Sequence, residues 1–463
     1  MRNLATAATQ QLQLRRELGL KDLILAQILC VVGSQWVGVA AKLGRAHLVF
    51  WLAAMLLFYL PLAYTVMLLN KREPLEGGLY RWATSGFGDF LGFMTAWNLW
   101  MYAVICVPEV LFVLPTDLSY FIGSGAEWIP GSRWFSGILI LVVMIFISAV
   151  AVRGLGIGKW LHNSGSIMIC TAYAILIALP LIAVFFGHKV HYEAFPWEAP
   201  KLNLFSVAVF GQMTIGALSG FEYIAIMAGE ARDPGRTVGQ SVFISAPIIA
   251  LMFILGTSSV LAFVGDQPIN LIGPIPQTLR LALGGTSSGE TLARFAILLA
   301  MVRAVANGSL LFTGITRLPM TAGWNHILPN WFTSLHPRWR TPVNSIAFVA
   351  VLILVMLVLS MLGVREQETM QLLSNASTVH YGLSYMALFA LPLVGLAKFR
   401  SSLPVWSKFI AGAGLFSTLV AVVIAVYPII DVSSHLSYAA KIAGTVFVSN
   451  IIGVLIYRKR EKC

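Results

Sequence analysis

Apolar positions in this chain do not alternate with polar ones. They run together in stretches of roughly 20 to 28 residues, each long enough for a helix to cross about 30 Å of hydrocarbon. A membrane barrel would show strands of about ten residues with every second side chain apolar. The pattern therefore predicts helices, which satisfy their own backbone N–H and C=O groups inside lipid. Twelve spans fall at about 20–41, 47–69, 88–114, 134–152, 160–186, 203–228, 240–264, 292–316, 344–363, 370–397, 407–430 and 436–457. Short polar connections separate them, as at Lys71-Arg72-Glu73-Pro74, Gly265-Asp266-Gln267-Pro268 and His336-Pro337. Residues 1–20 are mixed and polar, so the first span is expected to stay as an anchor rather than to be cleaved.

Two spans carry glycines and polar residues at mid-depth. Span 1 reads Val31-Val32-Gly33-Ser34-Gln35-Trp36-Val37-Gly38, and span 6 reads Gly216-Ala217-Leu218-Ser219-Gly220-Phe221-Glu222. Five spans and their loops separate the two. This is the pattern of two five-helix repeats, each opening with a broken helix. Freed backbone groups at a break are tolerated in lipid only around a polar cavity. Broken ends also aim positive and negative helix termini at that cavity, which matches a zwitterion. The alternative is close helix packing through small residues.

Composition and charge sharpen this picture. The 463 residues are 58% hydrophobic and 11% charged, with a mean hydropathy of +0.81. A soluble domain is nearer 25% charged, so a soluble enzyme and a disordered chain are both excluded. A formal charge of +12 would suit nucleic acid, but its placement explains it otherwise. Of 31 Lys and Arg, 21 lie on the side that holds both termini and 9 lie opposite, with Arg303 inside a span. That bias predicts a multi-pass protein of the cytoplasmic (inner) membrane with both termini cytoplasmic and no nucleic-acid partner.

The charged groups within spans are Glu109, Glu222 and Arg303, and His380 lies deep in span 10. Such groups are costly in a bilayer and mark function by default. The competing reading is a structural ion pair, with Arg303 neutralising Glu109 or Glu222. Asn307 and Ser309, near Arg303, either line a cavity or bond neighbouring helices. Cys30, Cys106, Cys170 and Cys463 are scattered and suggest neither disulfides nor a metal site. No metal or cofactor is expected. Trp51, Trp134, Trp160, Trp331 and Trp406 sit near span ends and read as interfacial anchors, whereas Trp36 lies beside a break.

The segment Pro74-Leu75-Glu76-Gly77-Gly78-Leu79-Tyr80, then Gly86-Phe87-Gly88, Gly92-Phe93, Trp97 and Trp100, resembles the amino acid–polyamine–organocation superfamily of permeases. So do Gly220-Phe221-Glu222 leading to Ala228-Gly229-Glu230-Ala231-Arg232-Asp233-Pro234-Gly235-Arg236, and Thr316-Arg317-Leu318-Pro319 through Leu328-Pro329 and His336-Pro337-Arg338 to Thr341-Pro342-Val343-Asn344. The resemblance covers spans 1 to 10. It implies an all-α polytopic membrane protein with 12 transmembrane helices, a 5+5 inverted-repeat (LeuT-like) core and two peripheral helices. The first repeat would take residues 20–190 and the second 203–397, with spans 11 and 12 at 405–457 and tails at 1–19 and 458–463.

The same resemblance places a substrate carboxylate on the backbone of Gly33, Ser34 and Gln35. Its ammonium would meet carbonyls near Val31 and Gly216 to Ser219, with Gly220 at the break and Phe221 as an outer lid. Trp36 and Glu222 join this set, and Glu109, Glu222, Arg303 and Asn307 are candidates for coupling or gating. Two departures stand out. Gln35-Trp36 is a bulky pair where the family carries small residues, and span 5 has no lysine at the position aligned near Ile169. The coupling of lysine-bearing relatives cannot be borrowed, and a proton or sodium ion both stay open.

The function expected is a permease moving neutral or cationic amino acids by alternating access. The alternative is polyamine or other organocation transport, with Glu109 and Glu222 each holding an ammonium. A membrane enzyme would need a clustered nucleophile, metal set or acid–base pair, and no span holds a His-x-x-x-His or Glu-x-x-His pattern. A permease-like sensor would carry an appended signalling domain, and the tails are too short for one.

Overall fold

A computed structural model describes residues 19–72, 78–185, 187, 190–220, 234–322, 324, 327–362, 364–395 and 403–459. Helices dominate, and no strand occurs among the described residues. Among the described residues ten helices are long and apolar enough to cross a membrane, or eleven when one bent pair counts as a span. The chain is a multi-pass helical membrane protein.

The bent pair is α1 (Leu20–Val31) and α2 (Ser34–Ala41), which meet at 45°. Then follow α3 (Gly44–Lys71), α4 (Leu79–Phe87), α5 (Asp89–Ile122), α6 (Trp128–Gly131), α7 (Arg133–Arg153) and α8 (Gly156–Phe185). The shorter apolar α9 (Leu204–Gly216) stands where span 6 begins. After it come α10 (Gly239–Val264), α11 (Pro274–Leu283), α12 (Ser287–Met320), α13 (Asn330–Thr333), α14 (Val343–Met361), α15 (Glu366–Val394), α16 (Val405–Ile424) and α17 (His435–Lys459). Phe221 and Glu222 lie outside the described residues.

Burial separates a central set from a peripheral one. The most apolar window of α5 is 94% enclosed by protein, that of α17 only 17%. α5 packs along α15, and α8 along α12. Small residues permit these approaches: a Cβ on Gly165 of α8 would stand 2.2 Å from the Ala306 Cβ of α12, and one on Gly308 of α12 2.8 Å from Leu111 of α5. With lipid outside as apolar as the helices, such close contact supplies much of the association energy. Lys42, between α2 and α3, donates to the Ile429 carbonyl at 2.8 Å, and burial lowers its ammonium from the usual lysine range against the opposing charge of Asp431.

Two sequence expectations change here. Helix α5 runs eight residues past the expected end at 114, bending at Phe112, so Asp117 joins a membrane-spanning helix. Pro115 does not stop it because the bend restarts the helix at Val113, and a proline in a first turn loses no intrahelical bond. Trp51 is not an interfacial anchor. It is fully buried, stacked on Phe253 at 4.6 Å with its indole N–H donating to Thr257 at 3.2 Å. Trp134, Trp160, Trp331 and Trp406 are exposed.

Candidate functional site

The break between α1 and α2 is two residues wide, with Val32 and Gly33 both in extended conformation. Their carbonyls lose helical donors and acquire side-chain ones. The Tyr173 hydroxyl of α8 donates to the Gly33 oxygen at 3.0 Å, and the Arg303 guanidinium of α12 donates to the Val32 oxygen. At the other end of the break, α2 begins at Ser34 with no side-chain cap. Its first N–H groups therefore present a positive helix end at mid-membrane depth.

A cavity of about 30 Å³ lies against this break, lined among others by Gly33, Gln35, Trp36, Glu109, Gly216 and Arg303. That volume suits about two water molecules and no organic substrate. The Trp36 indole fills the remaining space. A Cβ on Gly33 would lie 2.6 Å from its Cδ1 and Nε1, and a Cβ on Gly216 2.4 Å from its Cη2. The two glycines thus make a slot for one ring. Gly216 itself is helical, at the end of a π turn over Gln212–Gly216, and the helix continues to Leu218. Helical conformation ends before Ser219, three residues later than Gly216, and the expected break beyond Gly220 lies outside the described residues. Gly220 has a φ of +129°, and its N–H donates to the Tyr385 hydroxyl at 3.2 Å.

Charge of both signs meets in this cavity. Glu109 of α5 is 2% exposed and accepts from the Ser377 hydroxyl of α15 at 3.0 Å. Gln35, Ser374 and Cys106 also face its carboxyl. Arg303 is 3% exposed; with its amide oxygen turned toward that guanidinium, Asn307 accepts from it at 3.2 Å and donates to the Leu29 carbonyl at 3.3 Å. Arg303 makes no ion pair with Glu109, so that pairing expectation fails. The reason is local: the opened carbonyl of Val32 takes the guanidinium, while serines of α15 and Gln35 serve the carboxyl. A pairing with Glu222 lies outside the described residues.

Of the candidate residues, Gly33, Gln35, Trp36, Glu109, Gly216, Arg303 and Asn307 line one cavity. Val31, Ser34, Ser219 and Gly220 do not, although Gly220 packs on Cys30 and Val31. Ser219 turns its hydroxyl back onto the Ile215 carbonyl of its own helix. His380 is taken up by structure: its Nδ1 meets the Asn98 oxygen at 2.8 Å and its Nε2 the Ser449 hydroxyl at 3.1 Å, tying α5, α15 and α17 together. Sequence reasoning missed Tyr102 and Tyr381, stacked at 3.7 Å, together with Cys30, Cys106, Ser377 and Thr378. The available signal was the polar series Gln371, Ser374, Asn375, Ser377, Thr378 and His380 within an otherwise apolar span.

A broken first span, a small cavity lined by both an acid and a guanidinium, and a surrounding bundle of apolar helices suit a membrane carrier. The sequence profile of the amino acid permease family matches residues 18–461. The chain belongs to that family. An uncharacterized transporter of Legionella pneumophila is 23% identical over 84% of this chain and 82% of its own length. A probable agmatine/putrescine antiporter of Lactococcus lactis is 22% identical over 73% of this chain and 70% of its own. A low-affinity putrescine importer of Escherichia coli is 20% identical over 75% and 76%. The family and these names point to membrane transport of a small molecule rather than to an enzyme.

Proposed function

We propose that this permease is a secondary transporter of zwitterionic amino acids, working by alternating access around the cavity at the α1–α2 break. The observation that carries this reading is the cavity's double charge. Arg303 and the uncapped start of α2 offer a carboxylate its donors, and Glu109 offers an ammonium its partner. A diamine would gain at Glu109 and be repelled by the buried guanidinium, a like-charge contact that costs several kcal/mol in a desolvated site. Polyamine transport is the second reading, favoured by the two relatives named for putrescine.

The architecture we infer is twelve spans with a five-plus-five inverted repeat over 20–190 and 203–397, spans 11 and 12 outside it, and both termini in the cytoplasm. The packing supports this. Exchanging the first five spans with the second five turns the pair of spans 3 and 10 into the pair of spans 8 and 5. Those two pairs, α5 with α15 and α12 with α8, are the most extensive helix contacts in the molecule. The site residues proposed for substrate are Gly33, Ser34, Gln35, Trp36, Glu109, Gly216 and Arg303, with Phe221 and Glu222 from the continuation of α9.

Thermal melting of the purified protein with leucine, lysine, glutamate and putrescine tests the substrate class. A ligand at 100 times its dissociation constant adds about 2.7 kcal/mol to stability. Leucine or lysine should raise the melting temperature and putrescine should not. Stabilisation by putrescine alone would refute the amino-acid reading in favour of the polyamine one.

A further inference from the structure

A buried acid with no hydrogen-bond partner lies away from the cavity, toward the C-terminal end of α5. Asp117 is 1% exposed, and neither of its carboxylate oxygens has a hydrogen-bond partner. The helix start beside it makes no hydrogen bond to it. A Cβ on Gly273 would lie 3.4 Å from Asp117 Oδ1, but the Gly273 N–H is already bonded to Asn270, and Pro274 and Pro276 carry no N–H. Leaving an anion in this position is costly, whereas a protonated acid is tolerated far better.

Two further features surround this acid. The first is a polar space close by. Thr116 and Tyr120, its neighbours on α5, line a polar vestibule of about 550 Å³ that also holds Glu127, Asn270 and Glu366. Its wall is rigid, because Arg280 of α11 caps the end of α5 by donating to the Tyr120 carbonyl at 2.8 Å and the Phe121 carbonyl at 3.2 Å. The second feature is an opposite charge without full satisfaction. Helix α12, which carries Arg303, packs against this end of α5, and the Arg303 Nε has no hydrogen-bond partner. Apart from Arg303 on α12, the titratable group that interacts with Asp117 is Tyr120 on its own helix. On α11 the charged residue, Arg280, is held by the α5 carbonyls.

We propose that Asp117 takes up and releases the coupling proton of transport, with Arg303 as the charge it meets once the proton has left. This rests on the transport reading. In the sealed conformation the acid is neutral. Release of its proton to vestibule water leaves a carboxylate whose nearest compensation is the guanidinium that also holds the α1–α2 break. Deprotonation therefore draws Arg303 from the Val32 carbonyl and loosens the break, which links the proton to the opening of the site.

The test uses full-length protein in proteoliposomes, with radiolabelled leucine, lysine and putrescine as probes. Exchange at equal pH and uptake driven by a pH gradient are measured for wild type, Asp117→Asn and Asp117→Glu. For one proton per substrate, a gradient of one pH unit sustains about tenfold accumulation. Wild type and Asp117→Glu should accumulate a probe, while Asp117→Asn should exchange it but lose the gradient-driven accumulation. Gradient-driven accumulation by Asp117→Asn overturns the proposal. So does loss of exchange in an Asp117→Asn protein that melts like wild type, which would make the residue a substrate or gating group. Wild-type exchange that ignores the gradient overturns the proton role alone, whereas no exchange of any probe brings down the transport reading with it. Should Asp117→Asn fail to fold, wild type is labelled with a hydrophobic carbodiimide, which reacts with protonated carboxyls. Labelling at Asp117 that falls as pH rises supports the role, and no labelling at any pH overturns it.

Discussion

The slot around Trp36 gives the most direct test of how the site is built. Gly216→Ala places a methyl group 2.4 Å from Cη2, 2.8 Å from Cζ3 and 3.1 Å from Cζ2 of the indole. The ring cannot withdraw, because its other edge already faces Gly33 at a distance that excludes a Cβ. Overpacking of this kind costs about 1–3 kcal/mol. Alanine in a helix offsets about 1 kcal/mol of that through its better propensity. A net loss of about 0–2 kcal/mol is expected. In a Trp36→Leu background the clash is gone, and Gly216→Ala should be neutral or stabilising by up to about 1 kcal/mol.

The measurement is a double-mutant cycle on stability in detergent micelles, with all four proteins compared at one scan rate since membrane proteins commonly unfold irreversibly. Trp36→Leu alone will destabilise by emptying part of the core, so only the difference between the two backgrounds is informative. A coupling of about 2 kcal/mol is expected, within the range for residues in contact. Equal costs of Gly216→Ala in both backgrounds would refute the slot. Gly216 would then be present for some reason other than the ring.

Two further predictions concern the buried charges. Arg303→Met strands the Val32 carbonyl and should cost about 1–3 kcal/mol, the penalty for an unsatisfied buried acceptor; adding Glu109→Gln should not restore the loss, and a full rescue in melting experiments would show a pairing that the geometry excludes. His380→Phe should destabilise by a similar amount, because it breaks the links to Asn98 and Ser449, yet leave the ranking of ligands in the melting screen unchanged, and a changed ranking would move His380 into the site.

Much of the architecture was legible because lipid imposes one rule on every span. Backbone groups must be satisfied within the helix, so length and apolarity alone mark each crossing. The break in span 1 was legible for the same reason, since Gly33-Ser34-Gln35 at mid-depth suits a cavity that receives the freed groups, with close helix packing as the alternative. What sequence could not supply was the third dimension of the charges. Arg303 and Glu109 are each the obvious partner for the other on a hydropathy plot, yet each bonds instead to a group with no formal charge, a backbone carbonyl for one and a serine for the other. Gly216 marked a real feature but for another cause, since its lack of a side chain serves a ring on α2 rather than a broken helix. Asp117 was hidden because the expected span ended at 114, short of the helix's actual end at Ile122. Once α5 is seen to continue, the chain holds a second buried acid that nothing in its surroundings satisfies. On the alternating access proposed above, a group unsatisfied in one state is best explained by a partner it meets in another.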